Sequence, residues 1–336
     1  MLKFSFKTLA LSCAMVALSI GGAQAEAVKF RITTENNANH VNTKFLQAFA
    51  EKVNAAALGE IAVELFHSGQ LYKGKDVPRA LRQGSVEMAA VGTWQLGGVA
   101  PDIDLLFIPH FYGRGNQEMD GLVDGEVGKE LNGKLEASLE SVVLGRWAGF
   151  GAGNSFGAGR KITSYADLEG AKMRIPGGLA NTARYKALGA IPTVLPWPDT
   201  PLALQQGTVD GLLTTFETAA SGKLWESGVT TAFEDNQYFG YFVPLVSKAF
   251  WNTASDKAKA ALTDSWEAMV DQARKDTEAA QAAARDTLAK NGVTITSPDP
   301  ASLAAQRAKM VAGEAELVKE MGASADLYQK ILKALP

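Results

Sequence analysis

The sequence predicts an α/β protein of two lobes, and three observations carry that reading. Strand-like and helix-like patterns alternate over residues 28–92. They alternate again from 141 to 214, after a helical stretch at 116–140. Two such runs argue two sheets flanked by helices. Finally, residues 254–292 form an almost unbroken Ala/Lys/Asp/Glu pattern. At 1.5 Å per residue a helix of that length reaches roughly 50 Å, longer than one small lobe, so it is expected to lie across both.

In chain order, "VKFRITT" (28–34) predicts a strand. "NTKFLQAFAEKVNAAALG" (42–59) predicts a helix closed by Gly59, with Phe45, Ala48, Phe49 and Val53 at helical spacing. "EIAVELF" (60–66) alternates as a strand does. "GKDVPRALRQG" (74–84) is a short helix and "SVEMAAVG" (85–92) another strand. "SVVLGRWAGF" (141–150) opens the second run. A short helix "SYADLEG", a strand "AKMRIP", a helix "ANTARYKALG", a strand "IPTVLPW", a helix "DTPLALQQG" and a strand "TVDGLLTT" follow. "YFGYFVPLVSKAF" (238–250) is strongly strand-like. After the long helix come a short strand, "VTITS", and a helical tail.

The composition, 46% hydrophobic and 21% charged over 336 residues, suffices for two lobes with real cores. The first 25 residues differ. Lys3 and Lys7 precede an apolar run, Leu9 to Ile20, and "GGAQA" ends in small residues at Ala23 and Ala25. This reads as a secretory signal peptide cleaved before Glu26; the apolar run of about 12 residues is short of the roughly 20 a bilayer needs. Cleavage removes two lysines and no acid, taking the formal charge from −3 to −5. A mildly acidic chain without a basic cluster is no candidate for nucleic acid. The single cysteine, Cys13, lies inside the signal, so the mature chain has neither disulfide nor thiol nucleophile. A soluble, exported product is expected.

No catalytic pattern stands out. His40, His67 and His110 lack metal-site spacing. "GFGAGNSFGAG" (149–159) fails the dinucleotide fingerprint, because the third glycine would fall on Asn154 or Phe156, and there is no G-K-[ST]. These glycines suit a bend at a domain crossing or close approach to a ligand. No cofactor, no metal and no enzymatic activity are expected.

Two stretches carry a resemblance. "ELFHSGQLYKGKDVPRALRQGSVEMA" (64–89) resembles the first lobe of the periplasmic solute-binding subunits of TRAP transporters, the DctP-type family. "YADLEGAKMRIPGGLANTARYKALGAIPTVLPWPDTPLALQQGTVDG" (165–211) follows that family's pattern of D-L-x-G-x-K-x-R-x-P, A-L-G-A-x-P-T and A-L-Q-x-G-x-V-D-G without a gap. With the signal and the long helix, the resemblance covers essentially the whole mature chain. It implies a periplasmic-binding-protein-like fold with a mixed sheet in each lobe, crossing hinge strands and a long helix spanning both. The implied lobes are 26–150 plus 240–278, and 151–239 plus 279–336, after the signal at 1–25. It also implies a monomer that hands a small organic acid to TRAP membrane permease subunits.

The family's R-x-P arginine falls on Arg174, which the resemblance makes the two-point anchor of a ligand carboxylate. Its guanidinium fork matches a carboxylate; the competing reading pairs it with a protein acid across the sheet. Trp197 falls where relatives pack an aromatic on the ligand, and this is favoured over the competing reading of a core tryptophan in "LPWPDT". Thr214 falls where many relatives have an asparagine, and Phe216 or Glu217 is placed to take over that contact. Asn154 replaces a second arginine found in some relatives, for which Arg146 or Arg160 could compensate. Glu35 stands where ectoine-type relatives have an acid and would suit a zwitterion. Trp94, Trp147 and Phe150 are further aromatic candidates for an apolar pocket, and Tyr72 and Lys73 follow "SGQL" in a loop.

Overall fold

The computed structural model describes residues 27–335, so the expected signal peptide lies outside the described residues. Lobe I begins with β1 (Val28–Thr33), α1 (Val41–Ala56), β2 (Ile61–Phe66), α2 (Asp76–Arg82) and β3 (Met88–Gly92). The helical stretch at 116–140 is two helices, α3 (Asn116–Asp124) and α4 (Glu126–Leu139), with Gly125 between them. The expected strand at 141–150 likewise splits into β4 (Ser141–Val143) and β5 (Ala148–Ala152). Lobe II follows with β6 (Asn154–Ala158), β7 (Lys172–Ile175), α5 (Leu179–Ala187), β8 (Ile191–Val194), α6 (Thr200–Gln205), β9 (Gly211–Thr214), α7 (Phe216–Ser221) and β10 (Val229–Phe233). The chain then returns through β11 (Phe239–Ser247), the short α8 (Lys248–Trp251) and α9 (Asp256–Lys290). It ends with β12 (Thr294–Thr296), α10 (Pro300–Val311), α11 (Glu314–Glu320) and α12 (Ala325–Ala334).

Both sheets are mixed. In lobe I the order is β2-β1-β3-β11-β4, with β5 also on β11; β1 runs parallel to β2 and β3, and β11 antiparallel to β3, β4 and β5. In lobe II the order is β12-β10-β6-β9-β7-β8, with β7 parallel to both neighbours and β6 antiparallel to both of its own. β3 sits mid-sheet, and all five of its residues are buried, as the apolar "MAAVG" requires. The buried stripe of α1 is Leu46, Phe49, Ala50 and Val53, spaced i, i+3, i+4, i+7. That is one position round from the expected stripe, leaving Ala48 outside and Phe45 half-buried against Trp266, ring centroids 4.9 Å apart.

The glycine-rich 149–159 segment is the crossing between lobes. β5 pairs in lobe I and β6 in lobe II, and Gly153 is bonded to the returning strand through Gln237 N to Gly153 O (2.7 Å) and Gly153 N to Tyr238 O (2.8 Å). α9 is one unbroken helix of 35 residues without Gly or Pro, capped by the Ser255 side chain. It packs on α1 and β5 and, further along, on α7, so it does lie across both lobes.

The tail departs from expectation. The expected second lobe includes residues 279–336, yet within them α12 buries Leu327 and Ile331 and packs on α4 of lobe I. Lys330 pairs with Glu130 (2.6 Å), and the Ser324 amide donates to Asp102. Met310 and Leu317 also line a cleft with Ala180 and Ala183 of α5. The apolar face of α12 is written in sequence, but not the lobe it covers.

Candidate functional site

The C-terminal end of β7 builds the centre of the site. β7 lies between two parallel partners, with Arg174 level with Thr193 of β8 and Leu212 of β9. Parallel strands present their carboxyl ends to a crevice, and Pro176, Gly177 and Gly178 stop β7 there. Arg174 is only 3% exposed. Its Nε donates to the Leu195 carbonyl (3.0 Å) and its Nη1 to the Leu213 carbonyl (3.3 Å). Among the described residues no acid forms a salt bridge with it and nothing accepts a hydrogen bond from Nη2, while Glu35 in the same cavity acts on it through its charge. The Trp197 ring lies beneath, 5.8 Å from guanidinium carbon to centroid. Burial pulls the Arg174 pKa down to about 10, with the negative field of Glu35 opposing; the group is charged at neutral pH but poorly solvated.

Arg174, Trp197 and Thr214 from lobe II share one cavity with Glu35, Trp94 and Phe150 from lobe I. The enclosed space is about 30 Å³, room for one or two waters. Trp94 packs on Phe150 and Phe242, centroids 4.5 and 5.6 Å away, and makes the wall an apolar one. Glu35 accepts hydrogen bonds from the Gly74 amide and from Gln95 Nε2. Burial raises its pKa, and the two hydrogen bonds and the Arg174 charge oppose that rise.

The lobes stand closed on one another. His40 and Glu217 meet across the interface (Nε2 to Oε2, 2.8 Å), both buried, and Glu217 Oε1 also accepts from the Val41 amide (2.9 Å). His40 Nδ1 accepts from the Asn42 amide (3.0 Å), which leaves Nε2 to carry the proton toward Glu217 or Thr218. At the exposed rim Lys73 pairs with Asp199 (2.7 Å), so Lys73 joins the lobes rather than lining the cavity.

Three expected contacts lie elsewhere. Asn154 faces the crossing: its Oδ1 accepts from the Asn236 amide (3.0 Å) and its Nδ2 donates to the Ala152 carbonyl (3.3 Å). Phe216 packs edge-on against Phe156 (5.6 Å) in the lobe II core, because Thr215 takes the cap of α7 and turns the chain inward. Tyr72 packs on the lobe I core and donates to the Ser85 carbonyl (3.4 Å). Neither arginine offered as a substitute reaches the cavity. Arg146 pairs with Glu267 and Asp271, and Arg160 donates to the Glu169 carbonyl. Trp147 is buried on Asn132. Tyr238, Thr33, Asn36 and Thr218 line the cavity without having been singled out. Thr33 and Asn36 belong to "TTENNANH" (33–40), the loop after the first strand where the family resemblance places ligand contacts, and Tyr238 is marked only by the start of a strand.

The model for bacterial extracellular solute-binding protein family 7, DctP, matches residues 32–321. A solute-binding protein of Roseobacter denitrificans is 32% identical over 208 residues, 61% of this chain and 62% of that one. The C4-dicarboxylate-binding periplasmic protein DctP of Rhodobacter capsulatus is 30% identical over 224 residues, 64% of this chain and 66% of its own length. Each alignment thus spans less than two thirds of the relative. Likeness in structure is broader. A TRAP periplasmic solute-binding protein from Sulfurospirillum deleyianum, solved with bound succinate, superposes with a TM-score of 0.82 at 25% identity, over 91% of this chain and 99% of that one. The sugar acid binding protein of Advenella mimigardefordensis, in complex with galactonate, shares the fold with a TM-score of 0.86 at 23% identity, over 92% and 98%. The family match over 32–321, on a fold that closes two lobes around Arg174, shows that the chain belongs to family 7 of the bacterial extracellular solute-binding proteins, the DctP family of TRAP-type binding proteins.

Proposed function

We propose that the protein is the periplasmic subunit of a TRAP-type secondary transporter, exported by its N-terminal signal. It captures a small organic carboxylate between the lobes and delivers it to a membrane permease driven by an ion gradient. The observation that carries this is Arg174: a buried guanidinium bonded to two backbone carbonyls and to no acid. A buried cation without a counter-ion is costly, and a ligand carboxylate supplies one in the geometry the fork favours. Relatives named for C4-dicarboxylates, and one solved with succinate, support the substrate class. The site binds and performs no bond-making, and the hinge runs along the crossing strands near 150 and 238. A second reading, a zwitterionic ligand, draws on Glu35 in the same cavity.

Thermal shift with a panel of organic acids tests the proposal. A cognate acid raises the melting temperature of the wild type, and Arg174→Gln abolishes the rise, since breaking a buried ion pair costs about 3–5 kcal/mol. The neutral amide of that acid binds far more weakly. An undiminished shift in the variant sinks the anchor role.

A further inference from the structure

Asp104 is a carboxylate at the junction of the lobes, outside the cavity that holds Arg174. It lies on the short 3-10 helix Pro101–Phe107 of lobe I, is 1% exposed, and packs on α5 of lobe II. Its Oδ2 accepts from the amide of Leu179 (2.8 Å), the first residue of α5, a helix end that has no side-chain cap from Gly178 before it. Its Oδ1 is buried with no hydrogen-bond partner. That oxygen is pressed between one glycine of each lobe. A Cβ on Gly97 would stand 2.4 Å from it, and a Cβ on Gly178 3.3 Å.

Few charges surround it. On α5 the charged group that acts on Asp104 is Arg184, and among the described residues the two form no salt bridge. The Arg184 guanidinium donates instead to Asn181 Oδ1 (2.8 Å) and to the Phe107 carbonyl. The adjoining turn Thr93–Gln95 carries no titratable group, and Asp102, on the same segment as Asp104, pairs with Lys134 (2.6 Å). A carboxylate so enclosed loses more by leaving water than one helix end returns. Burial pushes its pKa up to about 6, against the Leu179 and Ala180 amides and the Arg184 charge. Part of that enclosure belongs to lobe II. When the lobes part, Gly178, Leu179 and Arg184 withdraw with α5, water reaches the carboxylate, and its pKa returns to roughly 4.

We infer that closure of the lobes on a ligand is coupled to the uptake of one proton from solvent by Asp104, so that the protein holds its ligand more tightly as pH falls. The closed form has the higher proton affinity, so this contribution to closure is present at acid pH and is lost as pH rises through the closed-form value. At neutral pH the ionised carboxylate therefore works against closure and favours reopening. The inference rests on ligand-driven closure and holds for any acid that drives it.

Calorimetry in buffers of different ionisation enthalpy counts the protons taken up on binding. Lactate, pyruvate, galactonate and glucuronate serve as probes, because all stay ionised from pH 5 to pH 7. At pH 5 the wild type should take up about 0.8 proton more than Asp104→Asn with the same acid, and at pH 7 only about 0.1. The ratio of wild-type to variant affinity should rise about tenfold from pH 7 to pH 5. Glu35 is present in both proteins and cancels in the comparison. A merely structural Asp104 would change affinity without changing the proton count. Equal uptake and parallel pH profiles, with closure seen by small-angle scattering, overturn the inference alone; an acid that binds without closing the lobes overturns the closure reading as well. If none of the four acids binds, scattering from the free protein decides: the wild type should contract more than Asp104→Asn between pH 7 and pH 5, and equal behaviour overturns the inference. If the variant does not fold, carbon-13 carboxyl spectra of wild-type aspartates decide. One resonance should titrate near pH 6 at high acid concentration and near pH 4 without it, and the absence of such a resonance overturns the inference.

Discussion

At the scale of single residues, the feature that sequence carried best was Arg174. Its place follows from a local pattern, a strand ended by proline and glycines, which needs no knowledge of the rest of the chain. Glu35, Trp94, Trp197 and Thr214 also reach the cavity, whereas Asn154, Phe216 and Tyr72 turn away. The difference is physical. Adjacent strand residues point to opposite faces, and a cap one residue long decides whether Phe216 or its neighbours face the ligand. Thr215 supplies that cap, and nothing in "DGLLTTFE" distinguishes it from Thr214. Gly177 offers a sharp test at this scale. Its φ is +133°, and an added Cβ would stand 2.9 Å from the Trp94 carbonyl oxygen of the opposite lobe. Gly177→Ala should therefore weaken ligand binding by about tenfold or more through a blocked closure, and destabilise the unliganded fold by only about 1 kcal/mol. Calorimetry and urea unfolding on the same sample check it; intact affinity in a folded variant would show that the lobes close elsewhere.

At the scale of elements, the long helix, both alternating runs and the crossing at 149–159 were legible because each has a strong period or composition. The six-residue α7 and the strand β10 were not, since their lengths give periodicity little to act on; α7 is held by packing on α9 and by its cap. The crossing also holds a buried polar cluster that sequence could not announce. Asp235, fully buried, accepts from Gln237 Nε2 (2.8 Å), Tyr112 Oη (3.2 Å) and Ser155 Oγ (3.4 Å). Burial, outweighing these bonds, pushes its pKa up to about 7. The unfolded chain releases that proton near pH 4. Between roughly pH 4 and pH 7 the folded state thus binds more protons, and this group's contribution to stability falls as pH rises. Asp235→Asn removes that slope. Its melting temperature relative to wild type should climb by roughly 4 °C from pH 5 to pH 8, and a flat difference would mean that Asp235 does not titrate there.

At the scale of the whole molecule, two kinds of contact hold the closed form, and their magnitudes differ. Lys73 and Asp199 are each nearly half exposed, so their pair is worth under about 1 kcal/mol. His40 and Glu217 are buried, and removing one partner leaves the other desolvated, a penalty of about 1–3 kcal/mol. Lys73→Ala should lower ligand affinity by less than about fivefold, whereas His40→Ala should lower it by about tenfold or more by depopulating the closed form. Small-angle scattering of unliganded protein should show a larger expansion for the His40 variant; the reverse order would put the latch at the rim. The two lobes were legible in sequence, but these contacts pair residues more than a hundred positions apart, and no local pattern encodes them.

The chain passes between the lobes at four places: residues 152–154, residues 233–239, the body of α9, and residues 297–299 between β12 and the tail that packs on lobe I. A single tether lets one body swivel and twist freely about another. Four tethers, one of them an uninterrupted hydrogen-bonded helix, remove nearly every relative degree of freedom and leave rotation about one line. Motion along a single coordinate admits no partly closed arrangement that grips one half of a ligand while releasing the other. Recognition by this protein should therefore be concerted, with the contacts from Arg174, Trp94 and Tyr238 made or lost together and release following a single exponential.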